Sequence, residues 1–187
     1  MAEIVLFHHA LGLTSGVQEF AGALQDAGHT VHTPDLFEGR LFDVVEDGVA
    51  FAAETGRETL GARAGAAVES LPPDLVYAGM SMGCAYATQL LLTRPGGRGA
   101  FYLYGAVDPA WWEARWPAGV PAQAHQTADD PWREQEAEEG FEARVPDAEL
   151  FVYEGDTHLF ADPSTQDFDP VAAALAMERI QEFLGRL

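Results

Sequence analysis

Gly79-Met80-Ser81-Met82-Gly83 is the segment that most restricts what this chain can fold into. The apolar run Leu75-Val76-Tyr77-Ala78 leads into it, and a helix-like run from Ala85 to Leu92 leads out. Strand, sharp turn and helix, with a serine at the apex, is the layout of a nucleophile elbow. A strand that turns at once into a helix forces its apex residue into a strained backbone conformation. Side chains two residues before and two after the apex would then collide, which explains glycine at both flanks. The rival reading is a tight packing turn with no chemistry. The five-residue pattern alone does not separate the two; the elements around it and a base and an acid downstream do.

Composition narrows the rest. A chain of 187 residues with 48% apolar content suits one soluble globular domain over 1–187. Met1-Ala2-Glu3 runs straight into an apolar strand with no basic region and long apolar stretch, so no secretory leader is expected. No apolar run approaches the ~20 residues of a membrane span. A cytoplasmic location follows as the expectation. The single cysteine, Cys84, cannot form an internal disulfide. It lies three residues past the apex and reads as a buried, inert thiol, not as the nucleophile. The formal charge is -20, and all ten basic residues are arginine. Such a field repels phosphate backbones, which argues against a nucleic-acid partner, and it repels anionic substrates unless a local arginine cancels it. The acidic run Glu134 to Glu139 reads as solvated helix surface.

Strand-like and helix-like segments alternate along the chain, without repeats or low-complexity linkers. That pattern predicts a mostly parallel sheet of about six strands with helices on both faces. The strands are expected at Ile4–His8, Thr30–His32, Leu75–Ala78, Ala100–Tyr104, Ala122–Gln126 and Glu149–Tyr153. Helices are expected at Ser15–Ala27, Phe42–Thr55, Glu58–Ser70, after the elbow, at Pro131–Glu142 and at Asp169–Leu187. Asp108 to Pro121, rich in Trp and Pro, reads as a long loop. Ligands of such sheets sit at the carboxyl ends of the strands.

A serine hydroxyl needs a histidine to take its proton, and that histidine needs a carboxylate to fix its tautomer. After Ser81 the chain offers both, each just past an expected strand: Asp129-Asp130, then His158. The order Ser, Asp, His is that of the α/β-hydrolase architecture. Asp130, before Pro131, is the candidate acid, with Asp129 as the alternative; Asp156 reads as a turn-shaping residue. The oxyanion donors are expected to be the backbone N–H groups of Met82, next to the nucleophile, and of Ala10, in the loop after the first strand. His8 and His9 are adjacent, and neighbours in an extended segment point to opposite sides, so they do not read as a chelating pair. No metal site and no cofactor is expected.

Together these residues resemble the dienelactone hydrolase family of α/β hydrolases. The resemblance runs over nearly the whole chain. It is carried by Phe7-His8-His9-Ala10-Leu11-Gly12-Leu13, Thr33-Pro34-Asp35-Leu36, the elbow, His125 with Asp130, and Tyr153-Glu154-Gly155-Asp156-Thr157-His158-Leu159-Phe160. It implies a compact, lidless domain, a Ser81/Asp130/His158 triad, no cofactor and hydrolysis of a small ester or lactone. Three departures stand out. Family members that open dienelactone carry cysteine where this chain has Ser81. They carry glutamate at the position of His9, and an arginine soon after the catalytic histidine, where this chain has Phe160-Ala161-Asp162. No antiparallel hairpin is expected ahead of Ile4, so the sheet is expected to be smaller than the family's fuller form. The departures point to ester hydrolysis in general more than to the namesake lactone.

The substrate pocket is expected to draw on His9, Phe37, Trp132 and Phe160, with Trp111, Trp112 and Trp116 nearby and Arg40 as the positive charge best placed for an anionic group. A non-catalytic binding module on the same fold and an acyltransferase are the alternative functions. The partner in the hydrolase reading is a small molecule, with neither membrane nor nucleic acid, and the protein is a monomer or homodimer.

Overall fold

A computed structural model describes residues 1–187. Six strands form one sheet: β1 (Glu3–Phe7), β2 (Thr30–His32), β3 (Val76–Met80), β4 (Gly99–Leu103), β5 (Ala122–Thr127) and β6 (Glu149–Tyr153). Their order is β2-β1-β3-β4-β5-β6, and every neighbouring pair is parallel. The helices are α1 (Ser15–Asp26), α2 (Val45–Thr55), α3 (Arg57–Val68), α4 (Met82–Thr93), α5 (Gln135–Arg144) and α6 (Pro170–Arg186), with a 3₁₀ turn at Pro109–Trp112. This is the architecture expected from the alternation of segments.

The sheet is buried on both faces, so its central strands are apolar throughout and alternate between two cores. Ile4 and Leu6 of β1, and Phe101 and Leu103 of β4, join Phe20, Leu24, Ile180 and Phe183 of α1 and α6 on one face. Val5, Phe7, Tyr77 and Tyr102 meet Leu60, Tyr86, Leu91 and Phe141 of α3, α4 and α5 on the other. Caps fix the helix starts. The Thr14 hydroxyl accepts from Val17 N at the start of α1, and the Asp169 carboxylate accepts from Val171 N and Ala172 N ahead of Pro170.

Two helix starts lie three or more residues from expectation, the other boundaries within two. The second helix starts at Val45, not Phe42, because Phe42 N–H is spent on Leu11 O at 3.1 Å and its ring packs on Phe37 and Phe51. Helix α5 starts at Gln135, not Pro131. Residues 131–134 instead form a turn around Asp130, which accepts Trp132 N–H on its side chain at 2.8 Å and Arg133 N–H on its carbonyl at 3.1 Å. No helix is long and apolar enough to cross a membrane.

Candidate active site

The elbow follows from close packing at one corner. Ser81 has φ 50° and ψ −116°, a left-handed conformation that side chains rarely adopt and that costs about 1–3 kcal/mol. Its N–H donates to Leu103 O at 2.8 Å, and its carbonyl accepts Cys84 N–H at 2.9 Å, so both ends of the strained residue are tied down. A Cβ on Gly79 would lie 2.4 Å from Cys84 N. A Cβ on Gly83 would lie 2.2 Å from Phe7 O and 2.8 Å from His8 O. Both glycines are therefore demanded by backbone, which has no rotamer with which to yield. The second clash also shows that the end of β1 runs directly against the first turn of α4.

Two loops from neighbouring strands meet the serine. His158 Nε2 lies 2.8 Å from Ser81 Oγ, and His158 Nδ1 lies 2.7 Å from Asp130 Oδ2. An ionised carboxylate only accepts, so the imidazole proton sits on Nδ1 and Nε2 is left to accept from the hydroxyl. His158 and Asp130 are both buried; Asp129 is exposed. Asp129 contributes its backbone instead: its N–H donates to Gly155 O at 2.9 Å. Ala128 N–H to Tyr153 O (2.8 Å) and Thr127 Oγ1 to Thr157 O (2.8 Å) complete a three-bond seam between the two loops. Asp156 is exposed and its side chain bonds nothing, so it does not shape the turn; Gly155, at φ 131°, and the Thr127 bond do.

Ser81 and His158 open onto a cleft of about 200 Å³, lined also by Met82, Cys84, Ala85, Tyr104, Gly105, Ala106, Val107, Trp111, Trp132 and Glu134. The Trp132 ring lies 6.0 Å from that of His158. Of the residues expected in the pocket, Trp132 and Trp111 line this cleft; Phe37, Phe160, Arg40 and His9 do not. Phe160 is buried between Tyr104 and Tyr153 and belongs to the core. Phe37 is buried against His8, Phe42 and Phe51. Arg40 is exposed, its guanidinium 5.0 Å from the Phe51 ring centre, and does not line the cleft. His9 is fully buried, hydrogen-bonded to Asp162 at 2.8 Å, and does not line it either. All four follow strand ends, but their loops turn them inward onto the sheet or outward to solvent. Trp116 likewise caps the core, its indole N–H donating to Val120 O.

The residue sequence reasoning left without a role is Tyr104. It follows β4 with φ 68°, walls the cleft and sets its ring 5.7 Å from that of His158. The only signal for it was its place after a strand. Burial pushes its phenol well above the usual tyrosine range, so it stays neutral. Cys84 is equally inert: burial pushes its thiol up, and Sγ sits 3.5 Å from Leu103 O, inside the packing. His125 bonds Tyr153 Oη and the Gln123 side chain and is stacked on Phe151, which makes it a strut between β5 and β6. No three His, Cys, Asp or Glu side chains converge as metal ligands.

The Met82 N–H, at the first position of α4, has no acceptor within its helix. The Ala10 N–H has no acceptor among the turn and loop hydrogen bonds, although Ala10 is only 2% exposed.

The family model described as dienelactone hydrolase family matches residues 1–187. No curated protein sequence matches. Solved structures with the same fold include a dienelactone hydrolase-like promiscuous phosphotriesterase from metagenomic libraries, at 20% identity and TM-score 0.79, with 100% of this chain and 87% of that one covered. A dienelactone hydrolase from Anabaena variabilis aligns at 18% identity and TM-score 0.70 over 99% and 86% of the two chains. A metagenome-derived lipolytic enzyme aligns at 17% identity and TM-score 0.68 over 100% and 94%.

Proposed function

The chain belongs to the dienelactone hydrolase family, hydrolases that act on ester bonds, and from that premise we propose that it cleaves small, uncharged carboxylic esters or lactones through an acyl-enzyme on Ser81. The observation that carries this reading is the unbroken hydrogen-bonded chain Ser81–His158–Asp130 at 2.8 and 2.7 Å. Ser81 Oγ attacks the carbonyl carbon while its proton passes to His158 Nε2. Asp130 stabilises the imidazolium that forms. The carbonyl oxygen becomes an oxyanion, received by the N–H groups of Met82 and Ala10. The tetrahedral adduct collapses, and the alcohol leaves with the proton from Nε2. Water, deprotonated by the same nitrogen, then attacks the acyl carbon; the carboxylic acid departs and Ser81 recovers its proton.

A fluorophosphonate probe tests the nucleophile. Covalent labelling is expected on the tryptic peptide that contains Ser81, and abolition of labelling by prior heat denaturation. An unlabelled Ser81 in the folded protein favours the non-catalytic module.

The charge of the cleft supports the substrate class. Its one charged lining residue is Glu134, whose carboxylate has no hydrogen bond or ion pair, and no arginine lines it. The chain around it carries a formal charge of -20. A substrate carboxylate therefore meets repulsion with nothing to offset it. With a neutral ester and its analogue bearing a carboxylate on the acyl chain, kcat/KM is expected to favour the neutral one by on the order of tenfold at low ionic strength, and the gap to narrow at about 0.5 M NaCl. A preference for the anion at either salt concentration overturns this assignment.

A further inference from the structure

Two fully buried histidines, His8 and His9, stand beside the site and take no part in the proton transfers. Their tautomers can be read from their partners, because a backbone N–H only donates. Leu36 N–H donates to His8 Nε2 at 3.0 Å, so the His8 proton is on Nδ1, which donates to His9 O at 2.7 Å. Leu11 N–H donates to His9 Nδ1 at 3.3 Å, so the His9 proton is on Nε2, which donates to Asp162 Oδ2 at 2.8 Å. Asp162 is fully buried and also accepts from the Thr14 hydroxyl and from Ser164 N–H and Oγ. Burial pushes its carboxyl up, but the bonds from His9, Ser164 and Thr14 outweigh that and hold it at about 2. Burial likewise lowers His8 to about 4, keeping it neutral, as a ring that must donate on one side and accept on the other has to be.

These bonds act on the peptides of the loop that carries Ala10. His9 C=O and Ala10 N–H belong to one planar trans peptide, so fixing the direction of the oxygen fixes that of the N–H. His9 O is fixed twice, by His8 Nδ1–H and by Gly12 N–H at 3.1 Å. The next peptide is held on both edges as well. Its N–H is on His9, and its oxygen lies so close to α2 that a Cβ on Gly48 would sit 1.8 Å from it. Like those of His8 and His9, the Ala10 N–H has no acceptor among the loop hydrogen bonds, and of the three it is the one at the expected oxyanion position. An amide that finds no acceptor within the fold is free to donate to a ligand oxygen. We propose that His8, together with His9 backed by Asp162, is a positioning device that aims the Ala10 N–H at the oxyanion before substrate arrives. It rests on the hydrolase reading above. None of the three side chains touches a reacting atom, so none is a catalytic residue. Their contribution is a donor that needs no reorganisation as charge develops.

The test uses an ester and its thionoester, in which sulfur replaces the oxygen that becomes the oxyanion. Sulfur is a weak acceptor, so an aimed N–H favours the oxygen compound selectively. His8→Gln places an acceptor near the old Nε2 for Leu36 N–H but withdraws the donor from His9 O. His8→Asn places a donor near the old Nδ1 and restores that bond. In His8→Gln the ester kcat is expected to fall on the order of tenfold or more, with KM within about threefold and the thionoester rate nearly unchanged, so that discrimination collapses. In His8→Asn discrimination is expected to return most of the way to wild type. A parallel fall for ester and thionoester, or identical behaviour of the two variants, overturns the proposal. Thermal unfolding checks that each variant is folded. Should His8→Gln not fold, Asp162→Asn gives the same comparison from the far end of the network, where unchanged discrimination overturns it equally. A wild-type protein that turns over neither ester and is not labelled at Ser81 instead overturns the hydrolase reading beneath it.

Discussion

Ser81→Ala is expected to lower kcat for p-nitrophenyl acetate by roughly 10⁴-fold or more while leaving the fold in place. The expected loss is large because in the proposed reaction the hydroxyl forms the acyl bond, and nothing in the cleft replaces it. The nearest thiol, Cys84, points into the packing against Leu103 O and is held protonated by burial. The small residual rate would come from the Met82 and Ala10 amides acting on a water-borne attack. The fold survives because the elbow is held by backbone: Ser81 N–H on Leu103 O and Cys84 N–H on Ser81 O are both indifferent to the side chain. Turnover together with the melting temperature is the measurement. Near-wild-type turnover in a folded Ser81→Ala protein would falsify the acyl-enzyme.

Asp130→Asn is the second large loss, about 10⁴-fold in kcat, and Asp129→Asn is its control, with less than about a twofold effect. The geometry fixes how the asparagine must sit. Asp130 Oδ1 accepts Trp132 N–H at 2.8 Å, a bond only an oxygen can keep, so the new amide oxygen stays there. The NH₂ group then faces His158 Nδ1 and donates to it. That forces the imidazole proton onto Nε2, toward Ser81, where an acceptor is needed. Asp129 reaches the site only through its backbone, which the substitution leaves intact. Steady-state kinetics of the two single variants, with KM close to wild type in both, is the check. Equal losses in the two would remove Asp130 from its role.

These residues also show what a linear chain discloses. The elbow was legible because its demands are local: two glycines, each forced by backbone within a few ångströms of an apex that the flanking strand and helix define. The order Ser81, Asp130, His158 was legible because each follows a strand, and parallel strands deliver their ends to one edge of the sheet. Whether a residue at that edge faces the cleft or the core was not legible. Phe37 and Phe160 look from sequence like pocket walls, as Trp132 does, and only the direction of each loop separates them. The partner of His9 was further out of reach. Asp162 lies 153 residues away, and no periodicity or spacing links the two. From sequence Asp162 reads only as an acid where the family resemblance implies an arginine, which says nothing of what it touches. The same applies to Tyr104, whose strained φ is imposed by the strand end it closes.

The two tryptophans that wall the cleft differ in their freedom to change. Trp111 belongs to a short turn whose bonds are to itself and, through Asp108, to Arg144 of α5. No bond ties that turn to Asp130 or His158, so its length and sequence can drift while the Ser81–His158–Asp130 hydrogen-bond chain stays as it is. Trp132 is tethered: its main chain is a ligand of the acid. Its indole can be exchanged, but an inserted or deleted residue there would drag Asp130 away from the imidazole. Selectivity in a lineage built on this scaffold would therefore diversify by indels on the Trp111 side and by side-chain swaps alone on the Trp132 side.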